Sequence, residues 1–264
     1  MPFWAMVEII IMAIETQDLV QYLDALLQSN KFKDYCPNGL QVQGKAHIGR
    51  IITGVSATSE LIEKAIELKA DAILVHHGYF WKGESQTITG MKYKRIKALL
   101  EHDINLFGYH LPLDCHAEFG NNTQLAQIMN WQVMGDVNDT LPKGLVLKGK
   151  LKTPITNQQL VQQFKQNLDF DPLLIGNPNQ LIENIVWCTG AAQSYLQYAI
   201  DESADAFITG EISENTVHQA KENEISYFAC GHHATERYGV KSLGEHLSSK
   251  FGIEHIFVDC PVPV

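Results

Sequence analysis

A chain of 264 residues, 45% hydrophobic and 19% charged, has the apolar mass for one large domain or two halves with a sizeable core. Its net charge of -10 argues against a surface built to neutralise nucleic-acid phosphates, and no Lys/Arg block marks a polybasic patch. The five cysteines form an odd count without a C-x-x-C pair, which fits reduced thiols in a cytoplasmic protein.

The apolar N-terminus, Met1 to Ile14, has no basic flank, is interrupted by Glu8 and is too short to span a bilayer. The plainer reading starts translation at Met12 and makes residues 1–11 a dispensable extension. Thr16 is then expected to cap a helix through Leu27, with Leu19, Leu23, Leu26 and Leu27 on its apolar face. Tyr35-Cys36-Pro37-Asn38-Gly39-Leu40-Gln41-Val42 reads as a turn into a short strand, with Asn38 before Gly39 suiting a positive φ.

Arg50 to Val55 reads as a buried strand, residues 58–69 as a helix and Asp71 to Val75 as a second strand. This βαβ spacing predicts an α/β fold with mostly parallel sheets, whose sites lie beyond the carboxyl ends of strands. His76 and His77 stand at such an end. Adjacent strand residues point to opposite faces, so the pair is expected to converge only because the backbone turns at Gly78, each ring on its own ion. An aromatic, glycine-punctuated loop follows over 79–91, then a helix through Leu100 and a strand from Ile104 to Phe107. That strand runs into Tyr109-His110-Leu111-Pro112-Leu113-Asp114-Cys115-His116, a second strand end carrying histidine and carboxylate. Asn121-Asn122 is expected to cap a helix through Met129, and a strand (Gly144 to Leu147) and a helix (156–167) are expected further on.

Residues 182–210 echo residues 48–76: Ile185-Val186 stands for Ile51-Ile52, Ala199-Ile200 for Ala65-Ile66, and Ala204-Asp205-Ala206 for Ala70-Asp71-Ala72. Ile225-Ser226-Tyr227-Phe228 matches Ile104-Asn105-Leu106-Phe107 at a shorter offset, so the aromatic loop after Gly78 is extra to the first half. Two α/β halves, 12–134 and 135–264, are therefore expected to face one crevice. Gly210 and Glu211 replace His76 and His77 in the second half, which offers Gly231-His232-His233-Ala234-Thr235-Glu236 one strand later. If a helix starts near His233, His232 and Glu236 lie one turn apart and converge.

Histidines with a few carboxylates suit Zn²⁺, Mn²⁺, Fe²⁺, Co²⁺ or Ni²⁺ better than Ca²⁺ or Mg²⁺. Two such ions, about 3.5–4 Å apart, need a bridging carboxylate. Glu236 is the natural candidate, with His76, His77, Asp114 and His232 completing the shell. Glu211 reads as an acid behind a ligand or on the substrate side, or as an ordinary helix-start carboxylate; His110 is a second candidate proton carrier. His110, His116 and His233 have no assigned role beyond a ligand-orienting one, and Cys115 between Asp114 and His116 is either a soft ligand or a packed residue. A centre of about +2 charge favours small anionic ligands.

These motifs, together with Val75-His76-His77-Gly78-Tyr79-Phe80-Trp81 and Thr209-Gly210-Glu211, resemble the GTP cyclohydrolase 1 type 2 homologue family, the Nif-three-like dinuclear metal proteins, in its short bacterial form. The resemblance runs from Met12 to the C-terminus. It implies two similar α/β domains, a ring-shaped homohexamer and two metal ions per subunit held by His76, His77, Asp114, His232 and Glu236. Its name suggests hydrolytic opening of the GTP guanine ring, but no G-x-x-x-x-G-K-[ST] or G-x-G-x-x-G fingerprint is present.

Three functions compete at this point. The first is a metal-dependent hydrolase acting on a nucleotide-like or phosphorylated small molecule, with Tyr79 to Trp81 stacking on a base, closing over the site or packing at a subunit interface. The second is a non-catalytic ring binding metal or a regulatory ligand. The third is a DNA-engaging, repair-associated ring, with Lys82, Lys92, Lys94, Arg95 and Lys97 as its basic lining; the acidic balance weakens it, and a solvated helix face explains those residues as well.

Overall fold

The computed structural model describes residues 12–137 and 141–264; the extension expected over residues 1–11 lies outside the described residues. The chain opens with β1 (Ile14–Glu15) and α1 (Thr16–Leu27), then β2 (Gly39–Val42), β3 (His47–Ile48) and β4 (Arg50–Ser56). Thr16 does not cap α1. Glu15 holds the cap position and Thr16 is the first helical residue, its hydroxyl donating to the Lys45 carbonyl at 2.7 Å. Next come α2 (Ser59–Glu67), β5 (Ala72–His77), α3 (Gly90–Glu101), β6 (Asn105–Gly108), the single turn α4 (Leu111–Asp114) and α5 (Asn121–Ile128). Thr58 caps α2 by accepting from the Leu61 amide. Asn121 and Asn122 do not cap α5: Gly120 precedes it, and both asparagines reach away from the helix to other partners.

The second sheet is built from β7 (Gln132–Asp136), β8 (Leu147–Thr156), α6 (Asn157–Leu168), β9 (Leu173–Ile175), β10 (Leu181–Trp187), α7 (Leu196–Asp201), β11 (Ala206–Thr209), α8 (Glu214–Glu222) and β12 (Ser226–Ala229). The strand expected over Gly144 to Leu147 is displaced: β8 starts only at Leu147 and runs ten residues. The apolar run Leu145-Val146-Leu147 suggests a strand, but Leu145 and Val146 pack as buried loop residues. The real strand alternates, with Leu147, Gly149 and Leu151 inward and Lys148 and Lys150 more exposed. The chain ends with α9 (His232–Phe251) and β13 (Glu254–Phe257), and β13 returns to the first sheet beside β4.

The five-stranded sheet has the order β13-β4-β5-β6-β2 and the six-stranded sheet β7-β8-β10-β11-β12-β9. Strands β4, β5 and β6 are parallel neighbours, and so are β10, β11 and β12. Alternate residues of the first sheet meet opposite layers. Ile51, Leu74 and Phe107 pack with Leu19 and Leu23 of α1 and Leu243 and Leu247 of α9; Ile52, Ile73 and Leu106 pack with Leu61 of α2 and Leu99 of α3. The second sheet is sandwiched the same way, with Leu125 and Phe164 on one face and Leu196 and Ala220 on the other. Burial on both faces explains why the parallel strands read as continuous apolar runs.

The echo between the halves has a physical basis. Asp71 accepts the backbone amides of Gly49 and Arg50 on one carboxylate oxygen at 2.9 Å. Asp205 does the same for Glu183 and Asn184 at 2.9 and 2.8 Å. Lys69 and Ser203 both take φ of 54° before these aspartates, where a helix turns back into a strand. Asp103 and Glu224 repeat the device before the next strands, with φ of 50° and 56°.

Candidate metal centre

Three elements converge at the open end of the first sheet. His76 and His77 are the last two residues of β5, which ends directly before Gly78. Their ring centroids are 4.6 Å apart and the planes inclined by 47°. Each ring nitrogen takes a different oxygen of one carboxylate: His76 Nε2 lies 3.6 Å from Glu236 Oε1, and His77 Nε2 lies 3.2 Å from Oε2. His232 Nε2 is 3.0 Å from the same Oε2, as its place four residues earlier on α9 predicts. Asp114, at the end of α4, brings Oδ1 to 3.3 Å from His76 Nε2. Thus all five expected ligands meet. Their donor atoms fall into two groups, His76 with Asp114 and Glu236, and His77 with His232 and Glu236, and Glu236 belongs to both.

The outer nitrogens of the three histidines are all engaged. His76 Nδ1 donates to the Tyr109 carbonyl at 3.0 Å, so Nε2 is the atom that would offer its lone pair to a metal once its proton has left. His77 Nδ1 meets Ser56 Oγ at 3.0 Å, and His232 Nδ1 meets Glu211 Oε1 at 2.7 Å. Asp114 Oδ1 accepts from Asn121 Nδ2 at 2.8 Å, and Asn121 Oδ1 in turn accepts from the Gly239 amide at 3.0 Å. Ligating groups are held from behind in this way in metal sites. On the inner side the pattern is the reverse. His76 Nε2 and Glu236 Oε2 are buried and make no hydrogen bond of ordinary geometry, despite their near neighbours. Buried polar atoms left so are costly, and a cation between them would satisfy both, so these residues fit metal ions.

The electrostatics agree. Burial draws the His76 imidazole down, but the Asp114 and Glu236 carboxylates outweigh it and raise His76 to about 9. His232 is also lifted to about 9, against burial, by Glu236 and Glu211. His77 goes the other way, to about 4, because burial outweighs the pull of Glu236. Glu236 is held well below the usual carboxylate range by the imidazoles around it in spite of complete burial, whereas burial pushes Asp114 up.

Glu211 is therefore the residue that orients His232, not a helix-start carboxylate; α8 begins only at Glu214. His110 lies beside the cluster, its ring 5.0 Å from that of His76, with Nδ1 2.7 Å from Asp34 Oδ1. Asp34 also accepts from Asn38 Nδ2 and the Leu111 amide. Cys36 shares this corner, but burial, with help from Asp34, pushes its thiol up to about 12, which disfavours a thiolate ligand.

Three other expectations fail or narrow. His116 is remote from the cluster: its Nδ1 accepts from the Glu118 and Phe119 amides and its ring stacks on Phe119. His233 turns away to Asp259, 2.7 Å from Nε2. Cys115 is a packed core residue beside Leu145 and Val186, not a ligand. Of the aromatic loop, only Trp81 stands over the site, 4.9 Å from the His110 ring and 5.9 Å from that of His77; Tyr79 is buried and donates to the Ala57 carbonyl. Of the basic residues after it, Lys92 is buried, donating to the Ser85 carbonyl, and Lys97 faces Glu101.

The model of the Duf34/NIF3 (NGG1p interacting factor 3) family matches residues 14–262. The chain belongs to this family. Curated relatives agree: it is 49% identical over 252 residues to the GTP cyclohydrolase 1 type 2 homolog of Pseudomonas aeruginosa, covering 96% of this chain and 100% of that one. The corresponding homolog of Escherichia coli K12 is 44% identical, over 95% of this chain and 100% of its own. Among solved structures, the protein ybgI, described as of unknown function, superimposes with a TM-score of 0.90 at 44% identity over 95% of this chain and 100% of its own. A Thermus thermophilus protein does so with a TM-score of 0.85 at 33% identity, over 95% and 100%.

Within this Duf34/NIF3 frame, four residues that shape the site are not expected there from the sequence: Asp34, Ser56, Gly190 and Asn121, the last expected only as a helix cap. Gly190 follows β10 with φ of +68°, and a Cβ there would lie 2.0 Å from Glu236 Oε1. The signal for Gly190 was the Thr189-Gly190-Ala191-Ala192 run of small residues at a strand end; for Asp34 it was adjacency to the Tyr35-to-Val42 motif. Among the described residues no helix is long and apolar enough to cross a membrane.

Proposed function

We propose that this chain is a dinuclear metal protein that binds two divalent transition-metal ions through His76, His77, Asp114, His232 and Glu236. We further propose that it acts as a cytoplasmic metal-dependent hydrolase on a small anionic molecule. The observation that carries the reading is the position of Glu236. One buried carboxylate belongs to two donor groups at once, with an imidazole within 3.6 Å of Oε1 and two within 3.2 Å of Oε2. A carboxylate needed by a single ion would gain nothing from the second set, whereas two ions close together require a bridge.

When bound, such ions would act as Lewis acids and lower the pKa of water toward neutrality. The chain's own residues do the rest. The Tyr109 carbonyl and the Glu211 carboxylate, which can only accept, put the Nδ1 proton on His76 and His232 and aim their rings, and Ser56 orients the His77 ring. Asn121 holds Asp114. His110, braced by Asp34 with its ring 5.0 Å from that of His76, can carry a proton to or from a reacting group, and the Trp81 ring packs edge-on against it.

Metal analysis of the purified protein tests this: about two ions per chain are expected, falling below one in Glu236→Ala with the fold retained by circular dichroism. Metal content near zero after reconstitution with Zn²⁺, Mn²⁺ and Fe²⁺, or unchanged in the variant, refutes the reading. Metal-dependent turnover of nucleotides, phosphoesters or cyclic amides, lost in the same variant, separates a hydrolase from a binding protein.

A further inference from the structure

A cavity of about 190 Å³ opens directly beside the second donor group, with His77 and His232 in its wall. Five pieces of the chain line it: the end of β4, the start of α2, the end of β5, the start of α9 and the segment after β13. That last segment is pinned where the Val258 amide donates to the Thr53 carbonyl at 2.8 Å and the His233 amide to the Val264 carbonyl at 3.2 Å. The cavity surface comes from Val55, Leu61, Val258, Val262 and Val264, with the soft thiol of Cys260.

The polar side chains in the wall are engaged within the protein. Ser56 Oγ holds His77 Nδ1 at 3.0 Å. Thr58 Oγ1 caps α2 by accepting the Leu61 amide at 3.2 Å. His233 Nε2 is bound to Asp259 at 2.7 Å, and Asp259 is also bound by Arg237. A polar group entering this cavity would find few partners, while an apolar one would trade water for the buried Val55 and Leu61 and for Val258, with the half-exposed Val262 and Val264 forming an open rim. The size is sufficient for a ring: an apolar cavity of about 150 Å³ accommodates benzene.

From this juxtaposition we infer that the ligand is an amphiphile: a chelating oxyanion head on the metal-binding residues joined to a compact apolar group, up to the size of a phenyl ring, in the valine-lined cavity. The inference rests on the dinuclear reading above and narrows its substrate class. A guanine base is a poor occupant, because its hydrogen-bonding edge would face Val55, Leu61 and Val258. The apolar group provides binding energy and orientation, and the head sits at the ions.

Two hydroxamates that differ only in their tail test this by calorimetry on the Mn²⁺- or Zn²⁺-loaded protein. Benzohydroxamate is expected to bind tighter than acetohydroxamate by on the order of tenfold or more. Val262→Trp, which fills the cavity from its rim, and Val258→Phe, which fills it from the wall, are each expected to abolish that difference while leaving acetohydroxamate affinity as it was; either variant alone suffices if the other misfolds. Equal affinities in the unmodified protein, or an advantage that survives in the folded variants, overturn the amphiphile while leaving the dinuclear site standing. If the metal-loaded protein binds neither compound, this inference is overturned, while the dinuclear reading stands or falls on metal content alone.

Discussion

A methyl group on Gly190 would meet Glu236 Oε1 at 2.0 Å and His232 Nε2 at 3.2 Å, on a backbone whose φ of +68° already disfavours any side chain. Gly190→Ala is therefore expected to displace the Glu236 carboxylate and, on the proposed metal reading, to weaken metal uptake by about 10- to 100-fold. Competition against a chelating dye would measure it, and the far-ultraviolet circular dichroism should stay unchanged. Protons compete at the same atoms. With His76 and His232 both lifted to about 9, the metal-free protein carries a proton on each ring at neutral pH. Metal loading must release these protons, so affinity rises with pH up to about 9 and falls as pH drops. Calorimetry in buffers of different ionisation enthalpy should show net proton release at pH 7.5, and none would refute it. The sign is opposite for the metal-free fold. Histidines raised above their ordinary 6.5 stabilise it fully below that value, and the contribution is lost as pH climbs through about 9. At this scale the convergence of His76, His77, Asp114, His232 and Glu236 was legible because histidine pairs and strand-end carboxylates are chemically conspicuous. Asp34, Ser56 and Asn121 were not, because ordinary residues become significant only through partners; Asp34 meets His110 from 76 positions away.

The aspartates at the starts of β5 and β11 act on whole elements. Asp71 gathers the Gly49 and Arg50 amides and the Lys45 ammonium, tying the start of β4 to β5. Burial raises its carboxyl, but these donors win and hold it below its ordinary value. Asp71→Ala leaves two amides without their acceptor and is expected to cost about 2 kcal/mol, read as a lower denaturant midpoint with an unchanged slope. In the intact protein the contribution is present above the usual aspartate range and lost as pH falls through the lowered value. The repeated Ala-Asp-Ala motif was visible in the sequence; that each aspartate staples two strands was not, since the amides it binds lie about twenty positions earlier. Strand and helix order followed from buried runs and helical spacing for β4 to β6 and β10 to β12. It failed at β8, where Lys-rich alternation hid a ten-residue strand, and at the caps of α1 and α5, where Thr16 and the Asn121-Asn122 pair have tertiary rather than local partners.

Over the whole molecule, the two sheets are joined through α9, which starts at the end of β12, packs on β4 and β5 and delivers β13 to the edge of the first sheet. The assembly state belongs to this scale as well. The homohexamer implied by the family resemblance is expected to sediment at about six times the 29.6 kDa subunit mass, and a monomeric boundary would refute it. Helix α9 also sets a constraint in time. His76, His77 and Asp114 are translated before the second sheet, and His232 and Glu236 after it. A nascent chain therefore carries three of the five candidate donors for as long as the ribosome is making β7 to β12, and Glu236, shared by both donor groups, is among the last parts of the site to be synthesised. On the dinuclear reading, a chain interrupted before α9 would present His76, His77 and Asp114 without the carboxylate proposed to join the two ions.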